Sequence, residues 1–206
     1  NLQFCILRVL FSSMKNTNVR KITGVAILLA VEIVLQTLGN YIAIFGISIN
    51  LALVPIAVCS IVYGPLAGAF LGLCNGAMVL ASPSTQALYF QYSPIGTVFT
   101  CLLKATIAGA ISGLVFMTMK KNQSKAGGII SSIIVPIINT GLFMVFCFTI
   151  MRDAINAQAN GQNIISVVFS VPVFVNFAFE LGSMILLSPA IVKIYKIMTR
   201  TDKHAL

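Results

Sequence analysis

The sequence predicts an all-α integral membrane protein with six transmembrane helices and both termini in the cytoplasm. Three observations predict it: too little charge for a soluble surface, apolar stretches of membrane-spanning length, and basic clusters that six crossings place on one side. The 206 residues are 58% hydrophobic and 8% charged, with a mean hydropathy of +1.00. Soluble domains carry about 25% charged residues. At about 20 residues per span, residues 14–206 form a single six-helix membrane domain with no room for a separate soluble one. Any ATPase or receptor domain must belong to another chain. Met14 followed by Lys-Asn-Thr-Asn-Val-Arg-Lys reads as a natural start, which makes residues 1–13 a tag or N-terminal extension.

The first apolar stretch, Ile22 to Phe45, is long enough to cross about 30 Å of hydrocarbon. The second, Ile49 to Tyr63, is short and ends at Gly64-Pro65; the third, Leu66 to Ala81, follows at once as the other arm of a tight hairpin. Ser82 to Ser93 is polar and aromatic and reads as an interfacial loop. The fourth stretch is Pro94 to Met119 and the fifth Gly127 to Met151. The sixth, Ile164 to Met198, is too long for one straight helix, and Pro172 and Pro189 predict an irregular start or kinks.

Lys15, Arg20 and Lys21 precede the first span, Lys120, Lys121 and Lys125 join the fourth to the fifth, and Lys193, Lys196, Arg200 and Lys203 end the sixth. Six crossings put all three clusters on one side, as the positive-inside rule requires, whereas five or seven divide them. The opposite loops hold one basic residue, Arg152, beside Asp153. The net charge of +9 therefore marks topology, with no basic stripe interleaved with aromatics that would signal nucleic acid. The five cysteines have neither CxxC spacing nor a secreted disulfide pattern and read as small apolar fillers.

Gly64, Gly68, Gly72 and Gly76 recur at spacing four on one face of the third span, echoed by Ala105, Gly109 and Gly113 on the fourth. Without a hydrophobic drive between helices in lipid, such small residues let backbones approach closely. Packing within the chain is the first reading of these seams, and a partner-binding face the second. Ala26 and Ala30 make a similar pair near the start of the first span.

Three ionisable groups fall at membrane depth: Glu32, Lys104 and Glu180. Each is expensive there and must face a partner or a wet cavity. Glu32 continues with Gln36 and Asn40 as a polar stripe, and Asn176, Glu180 and Ser183 form another on the sixth span. Asn139 and Thr140 are polar positions of the fifth. One reading is a structural ion pair of Lys104 with Glu32 or Glu180. The other is a buried polar pocket open to the outside, roofed by the segment carrying Gln86, Tyr89, Gln91 and Tyr92.

Enzyme classes are excluded in turn. The one histidine, His204, sits in a polar tail, which removes an intramembrane zinc site, haem or His-based triad. Walker, GxSxG and HExxH motifs are missing, and Asp153 and Asp202 are too few for carboxylate-rich lipid synthases. The chain does not read as an enzyme, and no cofactor is expected on it.

Six helices with cytoplasmic ends, the element Tyr63-Gly64-Pro65-Leu66-Ala67-Gly68-Ala69-Phe70-Leu71-Gly72, the Ala26/Ala30 pair, and a fourth helix reading Lys104-Ala-Thr-Ile-Ala-Gly-Ala-Ile-Ser-Gly113 resemble the substrate-binding S components of energy-coupling factor (ECF) vitamin transporters. The resemblance covers residues 15–200. It implies a bacterial plasma-membrane protein that binds a water-soluble vitamin near its outer face. It also implies partners: a transmembrane coupling (T) subunit and two cytoplasmic ATPase subunits that use ATP to topple the S component inward. Carried over by position, Ala26 and Ala30 form the partner face. The pocket draws on Asn50, on Gln86, Tyr89, Gln91 and Tyr92, and on Lys104, Asn139, Asn176 and Glu180.

Lys104 and Arg152 suit an anionic ligand and favour pantothenate or folate over uncharged riboflavin. The lack of tryptophan argues against a large aromatic clamp. Glu180 points instead to a donor-rich amine or pyrimidine, such as hydroxymethylpyrimidine, thiamine or pyridoxine. Pantothenate ranks first. Two other classes compete: a self-sufficient secondary transporter or channel for a small polar solute, and an assembly subunit without a ligand. Neither an internal repeat nor a carboxylate pair at one depth favours the carrier.

Overall fold

The computed structural model describes residues 17–41, 43–44, 47–48, 50–119, 125–159 and 163–203. Residues 1–13, Lys15, Lys120, Lys121 and His204 lie outside them. The first helix, α1 (Thr17–Tyr41), is followed by a two-residue antiparallel pairing of β1 (Ala43–Ile44) with β2 (Ile47–Ser48). Then come α2 (Leu53–Tyr63), α3 (Pro65–Leu80) and α4 (Pro83–Thr85), which continues as a wider π-helical turn over Gln86–Phe90. The remainder is α5 (Pro94–Met119), α6 (Lys125–Phe148), α7 (Arg152–Ala159), α8 (Ile164–Val168) and α9 (Val171–Lys203).

Among the described residues, four helices are long and apolar enough to cross a membrane: α1, α5, α6 and the run ending in α9. A fifth crossing counts if α3 and the Pro83–Phe90 segment, bent by 64° from each other, are one broken span. The chain is thus an all-α, multi-pass membrane protein. Large apolar side chains lie exposed around the bundle, Leu66, Leu186, Ile95 and Ile22 being the most open. In water such a belt would drive aggregation, whereas in lipid it needs no cover.

The short α2 is the core of the bundle. Its eleven residues rise about 16 Å, and nearly all are buried, from Leu53 and Ile56 to Cys59 and Ile61. α1, α3, α5, α6 and α9 all pack around it. A helix apolar on every side belongs inside a bundle, so its neighbours shield what its length leaves uncovered. Gly64 ends it at φ +98°, a conformation open to glycine, and Pro65 starts α3 with its fixed φ.

The glycine seams are internal. α3 runs antiparallel to α5 so that Pro65 meets Gly113, Gly68 meets Gly109, Gly72 meets Ala105 and Gly76 meets Cys101. A Cβ built on Gly76 would lie 2.8 Å from Leu102 Cα, and one on Gly113 would lie 2.7 Å from Pro65 N. The backbones touch along four consecutive turns. Ser60 of α2 locks the seam from the side: its hydroxyl donates to Ile56 O at 2.7 Å and to Gly109 O at 2.9 Å.

One expectation from the sequence changes. Ser82 to Ser93 is largely helical and not an interfacial loop. Pro83 presets the first turn, Ser82 Oγ donates to Thr85 Oγ1 at 2.9 Å, and Gln86 Nε2 donates back to Leu80 O at 2.7 Å, so the segment satisfies its own polar groups. The last stretch breaks at Phe169-Ser170, where Pro172 forbids continuation from α8 into α9. Pro189 stays within α9, and the carbonyl it would leave without a donor, Ile185 O, accepts from Ser188 Oγ at 2.9 Å. The sequence did not signal α7, whose Gln158 Nε2 donates to Leu88 O at 2.8 Å and ties it to the Pro83–Phe90 segment.

Candidate functional site

At the end of the bundle where α1, α3 and α6 finish and α5 and α9 begin, the helices enclose a cavity of about 150 Å³. α5 contributes Thr97, Thr100 and Lys104, and α6 contributes Asn139, Thr140 and Phe143. Asn176 and Glu180 enter from α9, Gln36 from α1, and Asn50 from the chain ahead of α2. The Pro83–Phe90 segment supplies Thr85 and Tyr89 as a roof, backed by an apolar cluster of Cys147, Ile155 and Val168.

Lys104 is the cationic anchor. Its ammonium stands 5.3 Å from the centroid of the Phe143 ring, whose edge-on partner is Tyr89 at 6.1 Å. A ring face attracts a cation without using its N–H donors. Lys104 makes no ion pair with Glu32 or Glu180. Among the described residues the structural pair that the sequence allowed is not formed, and Lys104 lines the cavity within electrostatic reach of Glu180.

Glu180 is 2% exposed and is held by neutral donors: Thr140 Oγ1 to Oε2 and Asn176 Nδ2 to Oε1, each at 3.1 Å. Each oxygen keeps a lone pair for a ligand donor. Around the pair are acceptors with no partner in the protein: Asn50 Oδ1, Asn139 Oδ1, Asn176 Oδ1 and Thr100 Oγ1. Buried polar atoms of native proteins are nearly always bonded, so four orphans facing one cavity call for water or a polar ligand. The arrangement can take a small molecule with an anionic group at Lys104 and hydroxyl, amide or amine donors along the asparagine and glutamate side.

Of the residues singled out from sequence, Asn50, Tyr89, Lys104, Asn139, Asn176 and Glu180 meet at this cavity. Gln86, Gln91 and Tyr92 lie outside it. Gln86 caps Leu80 O, Gln91 Nε2 donates to Ala87 O, and Tyr92 is half exposed. Ala26 and Ala30 are on the exposed side of α1. Sequence reasoning missed Thr97 and Thr100, although Thr97, Thr100 and Lys104 fall on one helix face by their spacing of three and four. Among the described residues no group of three or more His, Cys, Asp or Glu is placed to hold a metal ion.

No protein-family model, curated protein or solved structure matches this chain.

Proposed function

We propose that this chain is the high-affinity substrate-binding S subunit of an ECF-type importer for a water-soluble vitamin, with pantothenate the first candidate. The observation that carries the reading is the unpaired Lys104 beside the neutral-donor clamp on Glu180, inside a polar cavity of an otherwise apolar bundle. The free cation suits the pantothenate carboxylate, and the orphan asparagine oxygens suit its hydroxyls and amide N–H. A volume of about 150 Å³ is small for a ligand pocket. This supports a compact, acyclic vitamin over multi-ring folate or riboflavin, and pyrimidine or pyridoxine-type vitamins rank behind for want of an anion at Lys104.

The placement of the basic residues supports a cavity open to the outside. Arg20 and Lys21 lie near the start of α1, and Lys193 and Lys196 lie toward the end of α9, the helix ends remote from the cavity. The positive-inside rule puts those ends in the cytoplasm. Six crossings follow if α2 and α3 each count as one, with both termini inside a bacterial plasma membrane. With no Walker motif in the sequence, the chain takes its energy from two cytoplasmic ATPases through a T subunit. The exposed Ala26/Ala30 step on α1 is the surface suited to close approach of that subunit.

Mass spectrometry of small molecules released from the detergent-purified chain, followed by calorimetric titration with pantothenate, folate, riboflavin, thiamine and pyridoxine, tests the reading. Saturable binding of pantothenate at nanomolar strength is expected; no binding across the panel by folded protein rejects it. Ala26→Trp is expected to abolish co-purification with the T subunit while leaving vitamin affinity unchanged. Recovery of the intact complex from that variant rejects the partner face. A self-sufficient secondary transporter is the alternative, and uptake by vesicles containing this chain alone, driven by an ion gradient without ATP, would establish it.

A further inference from the structure

One buried charge has no role in the cavity. Glu32, midway along α1, is 0% exposed, and neither of its carboxylate oxygens has a hydrogen-bond partner. α1 packs against α2, α3 and β2, and none of the three contains Lys, Arg or His. The titratable groups these elements bring within electrostatic reach are two thiols, Cys59 of α2 and Cys74 of α3. The phenol of Tyr63 on α2 faces Gly24, two turns away from Glu32. On α1 itself the nearest basic residue is Lys21, eleven positions earlier (32 − 21), about 16 Å along the axis. A bare carboxylate without counter-charge or donor is not sustained at that depth.

The polar atoms left without a partner around Glu32 are oxygens. Gln36, one turn beyond Glu32, lines the cavity, accepts from Asn75 Nδ2 at 3.3 Å and donates to Asn40 Oδ1 at 3.2 Å. Asn75 of α3 is fully buried and keeps its own Oδ1 without a partner. Two oxygens of Glu32 and one of Asn75, flanking Gln36 on facing helices, are thus unsatisfied together. Carboxylate and amide oxygens are hard ligands suited to a small cation.

We propose that Glu32 and Asn75 form a second site that binds one positive charge, a proton or a sodium ion, at the α1/α3 contact. The site is independent of which solute occupies the cavity. Because Gln36 belongs to both places, filling one changes the environment of the other, and any coupling is reciprocal.

Dicyclohexylcarbodiimide, an apolar reagent that attacks protonated carboxyl groups, tests the site on the full chain in detergent, with the adduct located by peptide mass spectrometry. Glu32 is expected to label at least about tenfold faster at roughly pH 6 than at roughly pH 8.5. If sodium chloride slows labelling relative to choline chloride, the resident charge is sodium; if it does not, the charge is a proton. A labelling rate indifferent to both pH and sodium, or labelling of Glu180 with none at Glu32, overturns the proposal. Thermal unfolding gives a second measurement. A folded chain that holds a proton its unfolded form has released loses stability as pH rises in sodium-free buffer, and the neutral isostere Glu32→Gln is expected to reduce that dependence, with buried Glu180 keeping its own share. A wild-type midpoint flat in both pH and sodium also overturns the site.

Discussion

α5 presents two faces that do opposite things within one helix. One face, Cys101, Ala105, Gly109 and Gly113, lies directly against the backbone of α3 for four turns. The other, Thr97, Thr100 and Lys104, borders open volume and is left with an orphan hydroxyl and an unpaired ammonium. The packed face has no side chain to spare and gains its energy from close backbone contact. The open face keeps polar groups that apolar packing would have excluded. The lesson is that rigidity and binding are separated by about a third of a helical turn, and the zipper holds α5 in place so that Lys104 has a fixed address.

The comparison breaks first at the zipper. Gly72→Leu puts a side chain into the Ala105 carbonyl, where the obstacle is backbone and cannot rotate away. A loss of about 3 kcal/mol or more is expected, read as a fall in the unfolding midpoint. With no tryptophan in the chain, a thiol-reactive dye reporting on buried Cys59, Cys101 and Cys147 is the suitable probe. A midpoint unchanged from wild type would mean that the seam opens freely.

On the other face, the proposed function predicts that Lys104→Ala folds normally and binds pantothenate at least about tenfold more weakly than wild type, near 1.4 kcal/mol. Equal affinity by calorimetry would take the ammonium out of the site. Thr140→Val removes one of the two neutral donors to Glu180 and should lower stability by about 1 kcal/mol; a midpoint equal to wild type would show that Asn176 and water hold the carboxylate alone. The smallest effect is expected at Gln86→Ala. That side chain is exposed and caps the end of α3 outside the cavity, so stability should shift by less than about 0.5 kcal/mol and affinity should not change. A marked loss of binding would extend the site beyond the cavity described.

Much of the candidate site was legible because charge at membrane depth is conspicuous. Lys104 and Glu180 stand out in apolar runs, and both line the cavity. Asn139 and Asn176 were found by the same logic, and Asn50 by position from the family resemblance. Gln86, Gln91 and Tyr92 were selected for being polar or aromatic in a segment read as a loop. That segment coils into a helical turn that uses the two glutamines for the carbonyls of Leu80 and Ala87. Thr97 and Thr100 escaped notice because threonine is common in membrane helices, where its hydroxyl bonds the preceding turn, as Thr97 Oγ1 does with Ser93 O at 2.7 Å. Which face of α5 they occupy was readable, but what that face meets was not.

Composition by itself determined that the chain lives in lipid, since 8% charged residues cannot solvate a surface. Spacing by itself determined where the long apolar helices lie and that glycine every fourth position makes a seam. The tertiary structure decided which helix the seam on α3 meets, that the short α2 is the central post, and that Lys104 and Glu180 share a cavity without pairing. The physical reason is that helix formation and membrane burial are local properties, set by hydrogen bonds within a segment and by its transfer from water. Partner choice between helices depends on shape matching across more than thirty residues of chain, from Gly72 to Ala105, and no single segment encodes it.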